Sequence, residues 1–161
     1  MAITEAYQTR KTILKKAKDF VFALKGQPLS HVWRGHGTAL FLEFGDLSAR
    51  LRRDGTEVGK IGAVTVGIQW DWRLEKSRSI LVGSRTGMQK CEKAFVDIIG
   101  STVIDLQLIG TLPEISIVLS SGHRVLSFMT DEGQPSWAIT INSKSSKSLL
   151  VKRGYLCVVN G

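Results

Sequence analysis

The sequence predicts an α+β fold, rich in β-strands, made of two pseudo-symmetric halves that each contain a helix and an antiparallel meander and share one core. Two observations lead to this prediction. The alternating apolar stretch "GTALFLEFGD" (residues 37–46) has an echo in "TLPEISIVLSSG" (residues 111–122), and a helical pattern ending in glycine precedes each of them. A chain of 161 residues has the length of a single domain. We therefore expect one domain with an internal repeat, residues 1–84 and 85–161.

The first helix is predicted within "ITEAYQTRKTILKKAKDFVFALKG" (residues 3–26). Helical spacing places an apolar stripe on one side of it, formed by Ile13, Leu14, Ala17 and Phe20. The opposite side carries Lys11, Lys15 and Lys18. Gly26 and Pro28 end the helix, because glycine accepts the left-handed capping conformation and proline restricts the residue before it.

The second helix is predicted within "GMQKCEKAFVDIIG" (residues 87–100), after the polar linker "VGSRTG". Thr86 is the expected N-cap. One face of this helix is formed by Met88, Cys91, Phe95 and Ile98 or Ile99. Its closing glycine, Gly100, matches Gly26.

Each glycine is followed by a series of predicted strands in matching order. The second strand of the first half carries Leu40, Leu42 and Phe44 inward, and its counterpart in the second half carries Ile115, Ile117 and Leu119. A third strand in "LSARLR" (residues 47–52), with Leu47, Ala49 and Leu51 inward, is matched to "HRVLSFM" (residues 123–129). A fourth strand, "AVTVGIQWDWRL" (residues 63–74), is matched to "SWAITI" (residues 136–141), which places Trp70, Trp72 and Trp137 in the core. The alternative is that alternation and glycine turns recur independently, as in any β-rich chain.

The segments "WRGHGTALFLEFG" and "SFMTDEGQPSW" resemble those of small bacterial proteins of unassigned function. The resemblance covers most of the chain and implies a bacterial, cytoplasmic protein. It carries over no activity, ligand or functional residue.

The net charge of +8 is the one unusual feature of the composition. Residues 1–28 carry six basic and two acidic side chains, residues 29–75 carry six of each, and residues 76–161 carry ten and six. A basic excess can attract nucleic acid or an acidic protein, and it can also serve solubility. The candidate anion or nucleic-acid contacts are Lys11, Lys15, Lys18, Trp33, Arg34, Arg50, Arg52 and Arg53, with Trp33 and Arg34 as an exposed aromatic–cation pair.

Residue spacing offers no catalytic or metal-binding motif. None of His31, His36 and His123 lies within metal-ligand spacing of another histidine or a cysteine, and Cys91 and Cys157 have no CxxC partner. We therefore predict no cofactor, no metal and no catalytic residue, and we expect that the three histidines do not share a site. The two cysteines are expected to be free thiols.

Three functions remain open at this level. The first is a non-enzymatic cytoplasmic binding protein that acts through a protein partner, as immunity-type and adaptor proteins do. The second is a nucleic-acid binder that uses the first helix and Arg50, Arg52 and Arg53. The third is a small-ligand binder or enzyme with a pocket between the two halves. A homodimer is compatible with all three, and no membrane span is expected.

Overall fold

The computed structural model describes residues 10–131 and 135–161. Within these ranges the chain forms two helices and thirteen strands. The elements in chain order are α1 (Arg10–Leu24), β1 (Leu29–Arg34), β2 (Leu40–Phe44), β3 (Ser48–Leu51), β4 (Glu57–Ile61), β5 (Val64–Ile68), β6 (Asp71–Lys76), β7 (Ser79–Gly83), α2 (Met88–Ile98), β8 (Val103–Ile109), β9 (Glu114–Leu119), β10 (His123–Phe128), β11 (Trp137–Ile141), β12 (Lys147–Lys152) and β13 (Tyr155–Asn160).

The strands form two main sheets and one small hairpin. The first sheet has six strands in the order β1-β2-β5-β11-β12-β13, and the second has five in the order β7-β6-β10-β9-β8. The hairpin consists of β3 and β4. Every pairing among the described strands is antiparallel. The predicted α+β, β-rich class is confirmed.

Each main sheet combines strands from both parts of the chain. In the six-stranded sheet, β5 pairs with β2 on one side and with β11 on the other. In the five-stranded sheet, β6 and β7 of the first part pair onto β10 of the second. The chain therefore crosses from the first sheet to the second after Ile68, and it crosses back before Trp137.

Matched backbone hydrogen bonds join the segments that follow the two helices. The amide of Gly26 donates to the carbonyl of Val103, and the amide of Gly100 donates to the carbonyl of Leu29, both at 2.8 Å. Gly26 and Gly100 have φ of 81° and 89°, a left-handed conformation that glycine adopts without strain. A second matched pair joins the Leu29 amide to Ser101 and the Val103 amide to Gln27. These bonds hold β1 and β8 together at one end of the molecule.

One hydrophobic core lies between the inner faces of the two sheets and receives both helices. Ala17, Phe20 and Leu24 of α1 and Cys91, Phe95 and Ile98 of α2 are buried in it. The predicted core positions of β2 and β9 are confirmed, because all six of their inward residues belong to this cluster: Leu40, Leu42, Phe44, Ile115, Ile117 and Leu119. Trp72 and Trp137 are fully buried as predicted.

Several details of the sequence prediction are wrong. "AVTVGIQWDWRL" is two strands, β5 and β6, in different sheets, and Trp70 in the break between them is 37% exposed. Leu47, Ala49 and Leu51 are exposed, because β3 lies in the separate hairpin and has no core to face. Strands β4, β7, β12 and β13 were not predicted at all.

The two helices also differ in detail from the predicted ones. The predicted start of α1 lies in residues 1–9, outside the described ranges. Leu14 is 59% exposed, so the buried stripe of α1 is narrower than predicted. The N-cap of α2 is Gly87, whereas the hydroxyl of Thr86 accepts a hydrogen bond from the amide of Gly83.

Candidate functional site

The predicted basic residues fall on two separate surfaces. Lys11, Lys15 and Lys18 are exposed on α1, which packs against the inner side of the six-stranded sheet near β11, β12 and β13. The neighbouring Lys16 reaches the carbonyl of Leu156 on β13 at 3.1 Å. Arg50 lies instead over the outer side of β1, the opposite edge of that sheet. The helix lysines and the Arg50 region therefore do not form one patch.

Arg50 belongs to a stack of side chains on the outer side of the sheet. Its guanidinium lies 4.6 Å from the ring centroid of Trp33, within range of a cation–π contact. The other face of Trp33 stacks on Phe41, with ring centroids 4.0 Å apart and planes inclined by 9°. Arg52 and Arg53 are exposed in the turn that follows β3. Both faces of the Trp33 indole are thus covered.

Arg34 holds the loop before α2. Its Nη1 donates to the carbonyl of Thr86 at 3.1 Å, and its Nη2 donates to the carbonyl of Ser84 at 3.2 Å. Its guanidinium also lies 5.8 Å from the centroid of the buried Trp72 ring. The predicted exposed pair of Trp33 and Arg34 is wrong, because the two side chains have different partners on opposite faces of β1.

A buried carboxylate, Glu43, joins strands on the outer side of the same sheet. Its side chain accepts hydrogen bonds from Trp33 Nε1, the amide of Gly62 (each at 3.0 Å) and the hydroxyl of Thr65. Asn142 Nδ2 donates to Thr65 Oγ1 at 2.8 Å and to the carbonyl of Gly62 at 2.9 Å. Glu43 is 1% exposed, so these three donors replace the water it loses on burial.

A groove of about 900 Å³ lies on this outer side of the six-stranded sheet. Six residues, one from each strand, form a row directly across the sheet: Trp33, Phe41, Gly67, Ala138, Leu150 and Cys157. The side chains of this row are large at Trp33 and Phe41, small or absent at Gly67 and Ala138, and large again at Leu150. The two small residues make the floor of the groove.

The ring of Phe41 lies close to Gly67 and Gly35. A Cβ atom there would lie 3.0 Å from Phe41 Cε1, closer than most real contacts, and one at Gly35 would lie 2.7 Å from Cε2. The ring can therefore lie low over the sheet only because both positions lack side chains.

The ends of the groove differ in chemistry. One end is polar, with Thr65 and Thr140 from the next row, and the Thr140 and Ser148 hydroxyls are 2.8 Å apart. The other end is bounded by the loop with His36, by Gln69 and Trp70, and by Pro135. Thr38 Oγ1 donates to the carbonyl of Trp70 at 3.1 Å and ties these two loops together. Both parts of the chain contribute to the groove.

Sequence reasoning missed this groove. Trp70 is predicted to lie in the core, and no role is predicted for Gly67 or Ala138. The usable signal was the pair of small residues at central outward positions, but it has meaning only once β5 and β11 are known to be neighbours.

The three histidines lie in different surroundings. His36 is exposed at the groove rim, and His31 is half-buried on β1. His123 is 4% exposed in β10, where its Nδ1 lies 2.8 Å from Ser121 Oγ. Burial, together with the nearby Lys76 ammonium, lowers the pKa of His123 against a smaller opposing effect of Asp97.

The described part of the chain contains no cluster of three or more His, Cys, Asp or Glu side chains arranged to hold a metal ion. None of its helices is long and apolar enough to span a membrane. Cys91 is buried and Cys157 is half-buried, and both are free thiols.

Comparisons with protein-family models, with curated proteins and with solved structures find no match to this chain.

Proposed function

We propose that the chain is a non-enzymatic binding protein and that the groove on the outer side of the six-stranded sheet binds a small molecule. The observation that carries this proposal is that two small residues, Gly67 and Ala138, lie side by side on the outer face of the sheet. The larger Phe41 and Leu150 flank them on either side. Sheet faces normally carry side chains at central outward positions. A gap there leaves apolar surface open to a ligand.

The size and lining of the groove support this proposal. A volume of about 900 Å³ falls within the range of small-molecule sites, which are mostly apolar with a few polar groups. The groove has that composition, with Trp33, Phe41, Trp70 and Leu150 as its large apolar residues and two threonine hydroxyls at one end.

The hydrogen bonding around the groove supports binding over catalysis. Glu43 accepts three hydrogen bonds from its neighbours, and Thr65 both donates to Glu43 and accepts from Asn142. These polar groups hold strands and loops together. A general base must reach the substrate, and Glu43 is 1% exposed and covered by the groups that donate to it.

The test is a thermal-shift screen of the full chain against a library of small metabolites. Ala138→Leu fills the floor of the groove, and Cys157→Leu makes a similar change in the same row beyond Leu150. Ligands of the groove should raise the Tm of the wild type and of Cys157→Leu but not of Ala138→Leu. Compounds that stabilise all three proteins equally would contradict the proposal.

A protein partner with an acidic, partly apolar surface is the second candidate, favoured by the outer face of α1. This face combines Lys11, Lys15 and Lys18 with Leu14 and Phe22, the last of which is 84% exposed. A partner with acidic and apolar side chains would form ion pairs with these lysines and would remove the exposed apolar side chains from water.

Charge reversal tests this second candidate. Lys11→Glu combined with Lys15→Glu should abolish salt-sensitive capture of a protein partner, and the exposed Arg53→Glu should not. Co-purifying material that absorbs at 260 nm and is lost in the double variant would instead favour nucleic acid. Capture that is unchanged in the double variant would exclude α1 as the contact surface.

We also propose that the chain is an internal duplication in which β1, β2, β5, β6 and β7 correspond to β8, β9, β10, β11 and β12. The hydrogen bonds of Gly26 and Leu29 recur at Gly100 and Val103, and β1 and β8 each contain a register shift, after Leu29 and after Val103. The β3–β4 hairpin is then an insertion in the first half. An experimental structure should superpose Gly26 on Gly100 and Leu42 on Ile117, and strands that overlay in another order would refute the duplication.

A further inference from the structure

We propose that a phosphate group binds in a second, smaller pocket, between the β3–β4 hairpin and the outer face of β1. This pocket has a volume of about 140 Å³ and is lined by His31, Trp33, Arg50, Val58, Gly59 and Lys60. It lies on the face of Trp33 opposite Phe41. The inference is therefore independent of the small-molecule groove and goes beyond the proposed function.

The polar side chains of the pocket come from three different strands. His31 belongs to β1, Arg50 to β3 and Lys60 to β4, and the described residues of the lining include no Asp or Glu. Each of the three side chains can donate a hydrogen bond. Donors carried by three strands can surround the tetrahedral oxygens of a phosphate, whereas a carboxylate offers only two oxygens in one plane. The lining therefore favours a phosphate group.

The guanidinium of Arg50 is held in position while its donors stay free. It lies over Trp33, which is itself fixed by its hydrogen bond to Glu43 and by stacking on Phe41. The cation–π contact uses no hydrogen bond, and none of the N–H groups of Arg50 meets an acceptor among the described residues. A guanidinium in this state can bind two phosphate oxygens at once.

The hairpin is irregular where it faces the pocket. The register of β3 against β4 shifts between Ala49 and Leu51, so that Arg50 lies alone opposite two residues of β4. Those two residues are Val58 and Gly59, and Gly59 has a φ of 140°, which other residues rarely adopt. Such a β-bulge redirects side chains and is often found beside a functional site. All three residues of this bulge line the pocket.

Apolar burial does little to hold the hairpin on the sheet. It is a separate two-stranded sheet, and its Leu47 and Leu51 are exposed. A two-stranded hairpin by itself is marginally stable at best. A phosphate bound by Arg50 and Lys60 of the hairpin and by His31 of the main sheet would connect the two, so binding should reduce local opening of the hairpin.

The two carboxylates closest in register do not occupy this pocket. Glu57 forms an ion pair with Lys60 at 3.1 Å, and both side chains are about half exposed, so the pair is weak and Lys60 can turn to a phosphate. Glu43 is opposite His31 in register, but it is buried and accepts hydrogen bonds from three donors. Neither residue is part of the lining.

Isothermal titration calorimetry with inorganic phosphate tests the site. We expect one saturable site with a Kd of about 1 mM or tighter, and acetate at the same ionic strength should bind at least about tenfold more weakly. Glycerol 3-phosphate is the second probe, and it distinguishes two sources of the phosphate group. It should bind at least as tightly as inorganic phosphate if the group belongs to a larger molecule, and more weakly if the ligand is the free ion.

Matched variants assign the binding to the pocket. Arg50→Gln and Lys60→Gln each remove one positive charge and should weaken phosphate binding at least about tenfold. Arg53→Gln removes the same charge from the exposed turn of the same hairpin and should change the Kd less than about twofold. Arg50→Lys keeps the charge but loses the planar fork, and it should weaken binding about two- to tenfold. Circular dichroism and the Tm of each variant confirm that it is folded.

Hydrogen exchange locates the bound ion. With saturating phosphate, the amides of β4 should exchange more slowly, and those of α2 should not change. Absence of saturable binding of both phosphate probes would overturn the proposal, and so would binding that neither Arg50→Gln nor Lys60→Gln weakens. Acetate that binds as tightly as phosphate and is lost in Arg50→Gln would overturn the phosphate class. The groove is tested separately by Ala138→Leu, so these outcomes do not decide the proposed function.

Discussion

The indole Nε1 of Trp33 donates a 3.0 Å hydrogen bond to Oε1 of Glu43, a carboxylate that is almost completely buried. The same indole is one layer of the Arg50–Trp33–Phe41 stack. One residue therefore connects the buried polar network to the aromatic wall of the groove. The orientation of the wall depends on Glu43.

Removing this carboxylate should be costly. Glu43→Ala leaves three donors without an acceptor, the buried amide of Gly62 and the partly buried side chains of Trp33 and Thr65. We expect it to lower the free energy of unfolding by about 3 kcal/mol, since each buried donor left without an acceptor costs about 1–3 kcal/mol and a partly buried one costs less. Glu57→Ala is the control, because Glu57 forms only an exposed ion pair with Lys60 and should cost less than about 1 kcal/mol. Urea unfolding followed by tryptophan fluorescence measures both. Equal effects of the two substitutions would contradict the role of Glu43.

Arg34 should stabilise the start of α2. Arg34→Ala removes the donors to the carbonyls of Ser84 and Thr86, and it should cost about 1–3 kcal/mol. Hydrogen exchange at the amides of Lys90 and Cys91, which donate to the carbonyl of Gly87, should accelerate more than exchange in β9. Arg53→Ala, at an exposed position, should change neither quantity. Uniform acceleration across the chain would indicate a global effect instead of a local one.

His123 should make stability depend on pH. Its pKa is lowered in the folded state, so the unfolded chain takes up a proton at higher pH than the folded chain does. The free energy of unfolding should therefore be highest above the ordinary histidine pKa of 6.5 and should fall as the pH decreases below it. His123→Asn should flatten this dependence, while His36→Asn, at an exposed position, should preserve it. Urea midpoints between pH 8 and pH 5 are the measurement.

Truncating a core side chain should strongly lower the free energy of unfolding, whichever of the two sheets carries it. Leu42→Ala and Ile117→Ala each leave a cavity between the two sheets and should cost about 2–5 kcal/mol. Phe22→Ala removes a larger side chain that is mostly exposed and should cost less than about 0.5 kcal/mol. A small effect at only one of the two core positions would mean that the two sheets do not share one core.

The sequence predicted the strands that have one buried face, because burial imposes the alternation that a sequence displays. Leu40, Leu42 and Phe44 are examples. The same rule failed for β3, whose alternation is not linked to burial. It also failed at Trp70, because the apolar phase of β5 continues unbroken into β6 while the chain changes sheets.

The groove could not be predicted for a related reason. Gly67 and Ala138 are 71 residues apart, and no local pattern indicates that β5 and β11 are neighbours. The arrangement of the basic residues could not be predicted either. Their number is visible in the sequence, but their separation onto two surfaces depends on the fold. Arg34, grouped with the cations of a binding surface, forms its hydrogen bonds within the chain.

The crossing of the chain between the two sheets has a consequence for its synthesis. When β5 has left the ribosome, it can pair with β2, but its other edge stays unpaired until β11 has been synthesised. Val66 of β5 and its partner Ile139 of β11 are 73 residues apart in the sequence. At typical translation rates this delay is on the order of 4–14 s. The β6–β7 hairpin likewise waits for β10. During that interval, the nascent chain exposes two apolar strand edges that can pair with other chains, so aggregation during expression should depend on how soon the second half emerges.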